Sequence, residues 1–123
     1  MVSPAEVRRM AAALPEAIDT SSDQRLGFEV GGKGFAWSFN ERVHPKKPRV
    51  PRIEILAVRC PVERKEFLIE AAPDRFFDDA HYKGYPAVLV RLDLVEAGEL
   101  EGLLRDAWRI QAPKPLLKTL GLT

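Results

Sequence analysis

A single cysteine, Cys60, in 123 residues leaves no partner for an internal disulfide and is a poor start for a zinc site. Both facts fit a reducing, cytoplasmic setting. Histidine is scarce as well, with only His44 and His81, a thin inventory for catalysis. No stretch approaches the roughly 18 to 20 apolar residues of a membrane span, and residues 1–14 read as an amphipathic segment carrying Glu6, Arg8 and Arg9, not as a signal peptide. Nucleophile elbow, H-E-x-x-H and dinucleotide fingerprint are all missing, so no enzymatic activity and no cofactor is implied. Repeats and low-complexity tracts are absent too. What is present, 46% hydrophobic and 30% charged residues, suits one domain over 1–123 that buries roughly two-thirds of its unfolded surface.

The pattern along the chain predicts α+β. Ser3-Pro4-Ala5-Glu6 is a helix start, and Val7, Met10, Ala11 and Leu14 follow at helical spacing until Pro15. After a polar connection, Leu26, Phe28 and Val30 alternate, as do Phe35, Trp37 and Phe39, with Gly31-Gly32-Lys33-Gly34 between them. This predicts a β-hairpin. It is not a phosphate loop, because the Walker spacing and the Gly-Lys-Ser/Thr ending are lacking and a strand follows where a helix should. A third strand covers 53–58 and ends at Cys60-Pro61. A second helix over 62–72 has Phe67, Leu68 and Ala71 as its expected buried stripe. Two further strands, 75–79 and 87–92, are joined through a turn around Gly84. The last strong element is a helix over 97–110, with Leu100, Leu103, Leu104, Ala107 and Trp108 on one face; Gly102 within it suggests a close neighbour. Residues 116–120 fit a final turn. The order α-β-β-β-α-β-β-α predicts a two-layer sandwich, a largely antiparallel five-stranded sheet with helices on one face.

Charge adds a second signal. The formal net charge of +1 hides two basic segments in an acidic body. Residues 42–59 hold Arg42, Lys46, Lys47, Arg49, Arg52 and Arg59 against Glu54 alone, and residues 107–123 hold Arg109, Lys114 and Lys118 with no acid. Prolines 45, 48 and 51 favour extended backbone and block sheet ladders, so 42–52 is expected to be an exposed arm.

The opening helix ending in Ala13-Leu14-Pro15-Glu16, the Gly32-Lys33-Gly34-Phe35-Ala36 hairpin, Asp74-Arg75-Phe76-Phe77, and Leu100 through Ala107-Trp108-Arg109 together resemble the MmcQ/YjbR family. These small bacterial proteins are usually described as DNA-binding. The likeness covers nearly the whole chain and implies a two-layer frataxin-like or secretion-chaperone-like fold. Tyr85-Pro86 stands where many members have His-Trp.

Three functional expectations follow. The first is non-catalytic nucleic-acid binding, DNA by the family description, through phosphates: Arg42, Lys46, Lys47, Arg49 and Arg52 form the contact, extended by Arg109, Lys114 and Lys118 if the C-terminus packs near the arm. Tyr82 and Tyr85, flanking Lys83, are candidate stacking residues. The second is a protein-interaction or small-ligand domain, dimeric or not, that uses the uncovered sheet face, with Trp37, Ala36 or Ser38 lining it. The third is a metal-dependent site around Asp78, Asp79 and His81, although the spacing shows no further ligands. Cys60 reads best as a buried apolar residue.

Overall fold

Ser3 starts the first helix as predicted. Its hydroxyl accepts from the Glu6 amide at 3.2 Å, the Glu6 carboxylate accepts from the Ser3 amide at 3.2 Å, and Pro4 opens the first turn. This helix, α1, spans Pro4–Ala12 and buries Val7 and Ala11. A computed structural model, describing residues 1–122, places after it β1 (Ile18–Asp19), β2 (Gly27–Val30), β3 (Lys33–Glu41), β4 (Val50–Arg59), α2 (Val62–Ala71), β5 (Phe76–Phe77), β6 (Ala87–Arg91), α3 (Ala97–Gln111) and α4 (Lys114–Thr119). A single 3₁₀ turn, Ala80–Tyr82, lies between β5 and β6. Among the described residues no helix is long and apolar enough to cross a membrane.

The strands form one sheet in the order β1-β2-β3-β4-β6-β5 with every pairing antiparallel. It has six strands, not five, because Ile18–Asp19 pairs with Phe28 and Glu29 inside what reads as a polar connection. Two residues are too few to show any alternation. β4 begins at Val50 and includes Pro51, three residues before the predicted start. Residues 50–52 pair with β3 only, since β6 joins from Ile55 onward, and a one-sided strand tolerates a residue without N–H. β5 is confined to Phe76 and Phe77.

The helices cover one face. Phe28, Phe35, Leu56, Val88 and Val90 from the sheet meet Val7, Leu68, Leu100, Leu103, Leu104 and Trp108 in the main core. Each such side chain contributes about 1.5 to 3 kcal/mol when removed from water. The α3 stripe is the predicted one. Gly102 in that helix has no neighbour within 4 Å of where a Cβ would sit, so it marks no close approach. On α2 the expected stripe is displaced: Phe67 is 65% exposed, whereas Lys65 is buried beside Leu68. The reason is polar. Lys65 points inward to carbonyls and a carboxylate that no neighbouring apolar group would satisfy.

A smaller core lies on the opposite face, built from Phe39, Ala57, Tyr82, Ala87 and Leu89, with Trp37, Ile55 and Phe77 packed against it. That face is therefore not left open at its centre. The segment 78–86 crosses it as a strap.

Candidate nucleic-acid interface

The β3–β4 hairpin carries the basic arm. Its loop is braced by its own groups: the Lys47 amide donates to His44 O at 3.1 Å, the Lys46 amide to His44 Nδ1 at 3.2 Å, and Arg42 Nη1 to Pro45 O at 3.0 Å. Residues 42–48 are exposed throughout. Lys46 and Lys47 sit at the tip, and neither has an acidic partner among the described residues. Arg49 donates to Asn40 O at 3.1 Å and keeps its charge uncompensated. Arg52 differs, because the register sets it beside Glu41, whose Oε1 accepts from Arg52 Nη2 at 3.0 Å and from Nε at 3.3 Å. The arm thus presents four unpaired cations and one paired one.

The second basic segment does not join it. Gln111 Nε2 donates to Gly34 O at 3.0 Å, and Pro113 packs against Gly31, which fixes the C-terminal cations near the β2–β3 turn. Lys33, Arg109 and Lys114 line one cavity there, and Lys118 lies in the last turn of α4. The arm leaves from Glu41, at the far end of the nine-residue β3, about 26 Å away along the strand. There are two basic clusters at opposite ends of the sheet, and Arg109 donates to Leu122 O at 2.7 Å.

The strap 78–86, which carries the candidate residues Asp78, Asp79, His81, Tyr82 and Tyr85, is tied down by Lys65, a residue the sequence did not single out. Lys65 Nζ donates to Tyr82 O at 2.6 Å and Tyr85 O at 3.1 Å and lies 2.8 Å from Asp78 Oδ1. Trp37 Nε1 donates to the Tyr82 hydroxyl at 2.9 Å. Burial is the largest influence on the Tyr82 phenol and pushes its pKa above the ordinary value. Tyr82 is therefore a core residue, not a free stacking surface. Tyr85 is 42% exposed, with Arg59 at 5.2 Å from its ring centroid and Arg59 Nη1 donating to its hydroxyl at 2.9 Å. Arg91 covers Phe77 at 4.1 Å. Of the residues expected to line an uncovered sheet face, Trp37 is tied to the strap, while Ala36 and Ser38 are buried on the helix side; the Leu26 amide donates to Ser38 Oγ at 2.7 Å.

The acidic residues around His81 have structural partners. Asp78 pairs with Lys65, and Asp79 Oδ1 accepts from the His81 amide at 2.9 Å to cap the 3₁₀ turn. Among the described residues no group of three or more His, Cys, Asp or Glu side chains is placed to hold a metal. Cys60 is buried, as expected, and burial pushes its thiol pKa up, so the thiolate is disfavoured.

Comparison with known proteins agrees with this geometry at the level of fold and family. Two uncharacterised proteins, Rv2570 of Mycobacterium tuberculosis H37Rv and Mb2600 of Mycobacterium bovis, are each 36% identical over 120 residues, covering 92% of this chain and 91% of their own. The crystal structure of Deinococcus radiodurans DR2400, with family-model domain DUF419, superposes with a TM-score of 0.71 at 26% identity, covering 100% of this chain and 91% of that one. A Pseudomonas syringae protein, target PsR293, shares the fold at a TM-score of 0.58 and 12% identity, over 87% of this chain and 97% of its own. The YjbR family model matches residues 12–110, which takes in every strand from β1 to β6 and nearly all of α3; the chain belongs to the YjbR family.

Proposed function

We propose that this domain binds nucleic acid, with duplex DNA as the partner, through phosphate contacts made by the arm 42–52 and without chemistry of its own. The observation that carries the reading is the placement of Lys46 and Lys47: exposed, outside any ion pair among the described residues, and held at the tip of a loop braced by His44 and Arg42. A loop braced in this way presents its cations to phosphates with little backbone ordering cost, and each phosphate neutralised releases condensed counterions. Arg42 and Arg49 add charge along the same hairpin. The cluster of Arg109, Lys114 and Lys118 is too far along β3 to extend the arm's footprint and would meet a separate stretch of backbone. The lone, buried thiol of Cys60 suits action in a reducing cytoplasm.

Fluorescence anisotropy of a labelled duplex over a salt series tests the reading. Affinity should fall with log[salt], and replacing both Lys46 and Lys47 by Ala should flatten the slope by about 1.8, at roughly 0.9 per phosphate. No binding at low salt, or a slope indifferent to those substitutions, overturns it.

A further inference from the structure

The start of α2 and the last turns of α3 do not close on each other. Between them lies a cavity of about 440 Å³, within the size range of small-molecule sites. Its apolar lining is Cys60, Pro61, Leu103 and Ile110, and its charged lining is Arg64, Asp106 and Arg109. Leu103, Asp106 and Ile110 fall at i, i+3 and i+7 on α3, so one stripe of that helix faces the space. Leu103 is buried, but Ile110 is 46% exposed.

Among the described residues the charges are unmatched. Arg64, Arg109 and Asp106 take part in no ion pair among the described residues, and Arg109 uses only Nη2 on Leu122 O. Two guanidinium groups and one carboxylate leave the lining one positive charge in excess, beside an apolar floor. A doubly charged anion would face Asp106; a singly charged one is balanced. An apolar body on the ligand would cover Leu103 and Ile110, which a bare phosphate cannot do.

We infer that this groove is a binding site for a small amphipathic monocarboxylate, its carboxylate held between Arg64 and Arg109 and its apolar body lying on Pro61, Leu103 and Ile110. The site opens where β4 passes into α2, the opposite end of β4 from the arm, and it does not depend on the nucleic-acid reading.

The test is a ¹⁵N chemical-shift titration of the full chain with phenylacetate, alongside the neutral isostere 2-phenylacetamide and inorganic phosphate. Phenylacetate should bind at millimolar concentration and shift the amides of Arg64, Leu103 and Ile110. Arg64→Ala and Arg109→Ala, both on exposed side chains, should each weaken it about tenfold, the loss of one charge-assisted contact. Ile110→Ser should weaken it several-fold, Asp106→Asn should tighten it, and replacing Lys46 and Lys47 by Ala should leave it unchanged. Amide or phosphate binding as tight as phenylacetate overturns the inference, as does the absence of shifts in the groove or an affinity indifferent to both arginines.

Discussion

The Lys65 ammonium lies 2.8 Å from Asp78 Oδ1, with the lysine side chain 2% exposed and the aspartate 33% exposed. The same ammonium donates to Tyr82 O and Tyr85 O, so two hydrogen bonds and one ion pair hold it. Lys65→Met keeps most of the stem volume and strands the two carbonyls, so it should cost about 2 to 4 kcal/mol in urea unfolding. Asp78→Asn retains an acceptor near solvent and should cost about 1 kcal/mol. Lys65→Met as stable as the parent would mean that the ammonium is not what holds the strap.

Tyr82 and Cys60 give the fold an alkaline limit. Both pKa values are raised chiefly by burial, from ordinary values of 10.0 and 9.0. The unfolded chain therefore releases these protons first. Their contribution to stability is fully present below pH 9.0 and is lost as pH rises through the higher folded values. Urea midpoints should fall on that limb, and Tyr82→Phe should remove the part of the slope above pH 10.0. An unchanged slope in Tyr82→Phe would show that the phenol titrates alike in both states.

Two adjacent glycines separate backbone strain from steric contact. Gly31 and Gly32 have φ of 58° and 79°, conformations that L side chains rarely adopt. A Cβ on Gly32 meets nothing within 4 Å, so Gly32→Ala should cost about 1 kcal/mol from backbone alone. A Cβ on Gly31 runs into the Pro113 ring. Gly31→Ala should therefore cost more, by about 1 to 3 kcal/mol, the usual penalty of overpacking. Equal thermal-unfolding losses for the two would count against the docking of Pro113 on the hairpin.

Glu41 restrains Arg52. Glu41→Gln should release that guanidinium for phosphate and steepen the salt slope of duplex binding by about 0.9. Arg52→Ala in the parent should change the slope less than Lys46→Ala, since only the lysine begins unpaired. The reverse ranking in anisotropy would place the contact surface nearer the sheet than the tip.

Local signals in the sequence account for what could be read from it. The spacing of Leu100, Leu103, Leu104 and Ala107 identifies α3, and the paired glycines identify the β2–β3 hairpin. The reading goes astray where distant residues decide. Lys65 looks like a solvated lysine until the Tyr82 and Tyr85 carbonyls arrive from 17 and 20 residues away. The strap is fixed by Trp37 and Tyr82, 45 residues apart. Within the candidate interface, the charges on 42–52 are legible one by one, but the Arg52–Glu41 pairing follows from register. The separation of Arg109 and Lys114 from the arm follows from Pro113 seating on Gly31.

The one-sided pairing of residues 50–52 reaches beyond the single molecule. A strand with a vacant flank is the place where a second chain would add itself, rung by rung, and grow a shared sheet. Here Pro51 removes one rung, and neighbouring Arg49 and Arg52 with the lysines of the tip repel an identical hairpin approaching edge to edge. The same prolines and cations that stiffen and charge the arm also work against edge-to-edge growth from it.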